Sequence, residues 1–158
     1  MITKYLPKFK VVEVNNLTGL RSGHMLSQFA ADESLATTVN GNKFIENGVI
    51  VSLGNDGKIV PYNKGTMFLH YTEELNTFID ELQYFAVPVE GDTYIRCIAL
   101  YTGDTFTTNN VVVVKEGAYG KVEGGKINIT DDATGAQFIV KKSTLPNGDE
   151  AYECTYVG

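Results

Sequence analysis

Phe44-Ile45-Glu46-Asn47-Gly48-Val49-Ile50-Val51-Ser52-Leu53-Gly54-Asn55-Asp56-Gly57-Lys58-Ile59-Val60-Pro61-Tyr62 is the stretch on which the fold reading turns. Two turn signals, Asn47-Gly48 and Asp56-Gly57, bracket the apolar run Val49–Leu53. Asn or Asp followed by Gly suits a tight hairpin turn, because both central residues need positive φ. The run between them is β-branched, and such residues fit a pleated, half-buried strand. Lys58-Ile59-Val60 then returns antiparallel, and Pro61 cannot continue a central strand. The stretch reads as a β-meander and by itself names no chemistry.

Working outward, 158 residues make one domain, or one domain with a small appendage. The chain has 16 Gly, 9 Tyr, 8 Phe and no Trp. Abundant Gly with Val, Ile, Thr and aromatics leans toward β structure. The net charge of −6 argues against a nucleic-acid binder, which needs a basic face for phosphate. Residues 1–21 nevertheless carry Lys4, Lys8, Lys10 and Arg21 against Glu13, a local charge of +3. A basic leader on an acidic body suits docking onto an acidic protein surface; chance clustering is the plain alternative. No apolar segment approaches the roughly 20 residues of a membrane helix. Met1–Pro7 has no signal-peptide pattern, so the expectation is synthesis in the cytoplasm. Cys97 and Cys154 lie in strand-like contexts and are expected as buried, reduced thiols.

Residues 1–14 look extended, with Tyr5, Leu6 and Phe9 apolar among lysines, and form either a first strand or a tether that orders on a partner. Asn15 to Gly23 reads as loop, and Met25 to Ala31 as one or two helical turns. Leu35–Val39, Thr66–Tyr71, Tyr84–Val89 and Thr93–Tyr101 read as strands. Leu75, Phe78, Ile79, Leu82 and Phe85 recur at helical spacing, which predicts a short helix over 73–83. Gly103-Asp104 is a tight corner placing Phe106 in the core, and Val111–Val114 is an apolar run of the core-strand kind. Beyond it, glycines divide four short strands, 119–123, 126–130, 137–142 and 150–157, with Asn147-Gly148 turning the last hairpin. The expected fold is mainly β: a compact antiparallel barrel or sandwich-like domain with one or two short helices. An extended arm (1–14) precedes a β-rich core (15–114), and a small C-terminal β element (115–158) belongs to the same domain or is appended to it.

Chemistry-bearing motifs are few. His24 and His70 have no second His or Cys at ligand spacing, and His70, in an apolar strand, reads as a core histidine. No nucleophile elbow, phosphate loop or dinucleotide fingerprint occurs. Asp131-Asp132 is at most a weak cation holder. The expectation is a non-enzyme without cofactor or metal.

One resemblance adds to this. Gly48–Leu53, Asp56–Tyr62, the Arg-bearing strand Tyr94–Leu100 and Gly103–Asn109 together resemble the small capsid decoration, or cement, proteins of tailed bacteriophages. The resemblance covers about residues 44–112, rests on structural turns (Gly48, Gly57, Pro61, Gly103, Asp104), and does not extend to 115–158. It implies a structural virion protein, made in the bacterial cytoplasm, that binds the capsid exterior and bridges major capsid proteins. A homo-trimer or other homo-oligomer on the capsid is implied too, with no nucleic-acid or membrane contact. Lys4, Tyr5, Leu6, Lys8, Phe9, Lys10 and Arg96 are the capsid-binding candidates, Arg96 as a bidentate donor. The alternative is a phage surface or head-fibre module reading a carbohydrate or host ligand through Tyr119, Tyr152 and Tyr156.

Overall fold

In the computed structural model, which describes residues 10–39, 41–72, 86–89, 93–146 and 148–158, the Val49-Ile50-Val51 run lies between two apolar cores. Along the chain the strands are β1 (Val12–Asn16), β2 (Met25–Leu26), β3 (Thr37–Val39), β4 (Asn42–Glu46), β5 (Ile50–Leu53), β6 (Ile59–Pro61), β7 (Phe68–His70) and β8 (Ala86–Pro88). They continue with β9 (Cys97–Ala99), β10 (Thr105–Thr108), β11 (Val111–Val113), β12 (Tyr119–Glu123), β13 (Lys126–Thr130), β14 (Phe138–Thr144) and β15 (Glu150–Tyr156). Helix α1 (Thr18–Ser22) and a 3-10 turn at Glu33–Leu35 complete the described elements. Three sheets result: β1-β10-β15-β14-β12-β13-β11, β2-β9-β7-β5-β6, and β3-β4-β8. The fold is mainly β and sandwich-like, and among the described residues no sheet closes into a barrel.

The five-stranded sheet is buried on both faces, which explains why its strands read as continuous apolar runs instead of alternating ones. Ile50, Leu69 and Ile98 face one core, shared with Phe106, Ile127, Ile129 and Phe138 of the seven-stranded sheet. Their neighbours Val51, Phe68, Cys97 and Ala99 face the other, shared with Leu35, Ile45 and Val87. The register keeps each row together: Ile50 pairs Leu69, which pairs Ile98, and Val51 pairs Phe68, which pairs Ala99. Phe106 meets Phe138 edge to face at 5.8 Å, an arrangement worth about 1 kcal/mol beyond the area it buries.

Several expectations change. Asn47-Gly48 is not a hairpin turn. β4 pairs with β3 and β8, so the chain crosses at Asn47-Gly48 from one sheet to another. Gly48 has φ 94°, its N–H donates to the His70 carbonyl, and a Cβ there would come within 2.8 Å of the Asn110 Cβ. The β5–β6 hairpin does form, through the loop Gly54–Lys58 with Gly57 at φ 79°, and Pro61 ends the edge strand β6. Met25–Ala31 forms no helical turn, because its ends are taken up by strand pairing: Met25 and Leu26 complete the sheet edge against β9, and Ala30 and Ala31 bridge to Tyr94 and Ile59. Within Asn15–Gly23, read as loop, Thr18–Ser22 is helical and Gly23 closes it with φ 74°. Val111–Val114 forms an edge, not a core strand: Val112, Val113 and Val114 are 45, 45 and 69% exposed. β10 bonds both β1 and β15, so residues 12–16 and the strands of 115–158 share one sheet. The helix expected over 73–83 and the Gly91-Asp92 turn lie outside the described residues.

Asp104 fastens the corner before β10. Its buried carboxylate accepts the Thr18 N–H (3.1 Å), the Thr18 hydroxyl (2.7 Å) and the Tyr101 N–H (2.9 Å). It thereby caps α1 from far along the chain, where the helix's own N-cap, Leu17, offers no side-chain acceptor. Asp104→Ala leaves buried donors unpaired and is expected to cost about 3 kcal/mol. Asp104→Asn keeps an acceptor for Thr18 but sets an NH2 against the Tyr101 N–H, so it recovers only part of that cost. Urea unfolding of the two variants checks the order.

Candidate docking surface

The corner where the chain changes sheet gathers a polar cluster inside the apolar layers. Glu46, Asn47, His70, Thr108 and Asn110 are all buried. The His70 Nδ1 lies 2.8 Å from the Glu46 carbonyl, and its Nε2 lies 2.9 Å from the Thr72 hydroxyl. A carbonyl only accepts, so Nδ1 carries the proton and Nε2 accepts from Thr72. The Thr72 oxygen accepts the Arg96 N–H at 2.9 Å, and the Thr72 N–H donates to the Asn47 Oδ1 at 2.9 Å. The Asn110 Nδ2 donates to the Asn47 carbonyl at 2.7 Å, and the Lys126 Nζ donates to the Asn110 Oδ1 at 2.6 Å. At the rim, the Lys10 N–H donates to the Glu46 carboxylate at 2.7 Å.

Two of the basic residues singled out from sequence therefore sit on one network. Lys10 reaches it through Glu46 and Arg96 through Thr72, although the residues are far apart in the chain. Arg96 is exposed, Lys10 partly so, and among the described residues no carboxylate pairs with the Arg96 guanidinium. Lys4, Tyr5, Leu6, Lys8 and Phe9 lie outside the described residues. Burial lowers the Lys126 ammonium's pKa, opposed by the Glu46 carboxylate nearby. Sequence reasoning missed Glu46, Asn110 and Lys126; the only signal was the Asn109-Asn110 doublet between two apolar strands.

No family model, curated protein or solved structure matches this chain.

Other candidates resolve differently. Asp131 is paired with Lys115 at 2.9 Å and Asp132 with Lys121 at 2.8 Å, so an ammonium stands where a weakly held cation was envisaged. Tyr152 is buried and the half-buried Tyr156 packs on Phe138 at 5.5 Å, so Tyr119, Tyr152 and Tyr156 make no exposed platform. Cys97 and Cys154 are buried free thiols; burial raises both pKa values, that of Cys154 to about 12, which keeps them protonated and unreactive.

Burial holds the His70 pKa down at about 4, below its ordinary 6.5, against the Glu46 carbonyl's opposing pull. Between these values the unfolded chain binds a proton that the folded chain does not, so stability falls as pH falls. The contribution is intact above pH 6.5 and declines toward pH 4. Lowering the pH from 8 to 5 is expected to cost about 2 kcal/mol through this group. Denaturant unfolding of wild type and His70→Asn at both pH values checks it, the variant losing clearly less.

Proposed function

We propose that this chain is a structural virion protein that binds the outside of a tailed-phage capsid and bridges neighbouring major capsid proteins. The arrangement that supports the reading is the shared corner of Lys10 and Arg96. Two basic residues are anchored through their backbone to one buried network, and the exposed Arg96 guanidinium, with no carboxylate partner among the described residues, suits a carboxylate on another protein. The hairpin β5–β6 and the strands β9 and β10, which carry the resemblance to decoration proteins, build the layers behind that corner. A protein that binds only the assembled lattice stabilises it by mass action, so many modest contacts sum over the shell. The protein is made in the host cytoplasm and acts on the capsid exterior as a homo-trimer or other homo-oligomer, with the major capsid protein as partner.

The test mixes purified protein with expanded, undecorated capsids of the same phage. Electron microscopy reads occupancy, and a thermal scan reads the temperature of DNA release from full particles. Decorated particles are expected to release DNA at the higher temperature. Arg96→Glu is expected to weaken occupancy at least tenfold, about 1.4 kcal/mol. Removing residues 2–9 is expected to weaken it as well while the fold persists. Equal release temperatures with and without the protein contradict the cementing role.

A further inference from the structure

Only two residues separate β10 from β11, yet the two strands stand far apart in the same sheet, β11 at its edge. A groove of about 440 Å³ lies between β11 and the β14–β15 hairpin. Val111, Val113 and Ala151 give it apolar walls. The Tyr152 hydroxyl lies in it and donates to the Glu116 carboxylate at 3.1 Å, with the Lys142 Nζ 3.4 Å from the same carboxylate. Glu150 also lines the groove, and among the described residues no cation pairs with it.

Among the described residues, the backbone of β11 is half used. It runs parallel to β13, with Val111 opposite Ile127 and Val113 opposite Ile129. The Val114 N–H donates to the Ile129 carbonyl, which fixes the phase of the ladder. In a parallel pair alternate residues bond to the same neighbour. Val112 and Val114 therefore turn their backbone groups toward β13, and Val111 and Val113 turn theirs to the open side. Exposed edges in natural sheets are usually blunted by charge, proline or a bulge. Val111–Val114 has none of these.

We propose that the free edge of β11 takes an extended segment of a partner protein as an added strand, with small apolar side chains around one lysine or arginine. Backbone bonds to Val111 and Val113 hold such a segment, as in strand addition generally. The basic residue answers the local charge, two carboxylates (Glu116 and Glu150) against Lys142, which already faces Glu116. Size selects a single strand over a second sheet: β11 spans about 10 Å, and the β14–β15 hairpin bounds the far side. The occupant is read from the groove alone and does not depend on the capsid proposal.

A capped peptide, Thr-Val-Lys-Val-Thr-Val, serves as the probe, with a second peptide carrying Glu in place of Lys. Each is titrated into the isotope-labelled full chain, with amide shifts and hydrogen exchange read residue by residue. The lysine peptide is expected to slow exchange at Val111 and Val113 and leave Val112, already bonded to β13, unchanged. The glutamate peptide is expected to bind at least tenfold more weakly. Glu150→Lys is expected to remove most of that preference. Val113→Pro deletes a donor that β13 does not use, so it should abolish binding while the circular dichroism spectrum is retained. Unchanged exchange at Val111 and Val113 under saturating peptide overturns the proposal. So does equal binding of the two peptides, or protection of these amides by protein concentration alone, which assigns the edge to a second copy.

Discussion

The hydrogen bond from the Asn110 side chain to the Asn47 carbonyl, 2.7 Å long and buried, is the contact on which the layering depends. It forms where the chain leaves the three-stranded sheet for the five-stranded one, and it comes from the link between two strands of the seven-stranded one. The three sheets therefore meet at a single polar point. Glycine is required there twice over, by a φ of 94° and by the close approach of Asn110 and Thr108. The surrounding groups are paired: Asn47 with Thr72, His70 with Glu46 and Thr72, Thr108 with the Val11 carbonyl. Among the described residues no buried side-chain polar atom is left without a partner. A half-satisfied cluster in this position would cost more than an apolar one.

A second tie runs close by. The Ile50 N–H donates to the Gly125 carbonyl at 2.8 Å, joining β5 to the β12–β13 turn. Gly125, at φ 78°, lies so close that a Cβ would stand 3.2 Å from the Ile50 oxygen. Apolar burial supplies most of the stabilisation between the layers. The polar corner adds little net energy of its own. It fixes which face of each strand meets which core, because a slip of one residue would exchange the two rows.

Much of the strand content was legible. The glycine-divided tail announced β12 and β13 residue for residue. What sequence could not separate was one apolar run from another. Val49-Ile50-Val51 and Val111-Val112-Val113 look alike, yet the first is buried on both faces and the second lies at an edge. The difference rests on partners distant in the chain, and a local pattern carries no information about them. The Asn47-Gly48 signal was correct about the positive φ of Gly48 and misleading about topology, since positive φ serves a sheet crossing as well as a hairpin. Of the docking residues, Lys10 and Arg96 were legible as charges; their common attachment was not, because it runs through Glu46, His70 and Thr72.

The central claim is that the shared apolar cores, set in register by the corner, make the sheets one cooperative unit. Native-state hydrogen exchange in rising denaturant tests it most directly. The His70 and Leu100 amides report on the five-stranded sheet, and the Val140 and Tyr156 amides on the seven-stranded one. The account predicts that all four open with the same free energy and the same denaturant slope, as one global unfolding event. Exchange of His70 and Leu100 through a lower-energy opening, with Val140 and Tyr156 still protected, would contradict it.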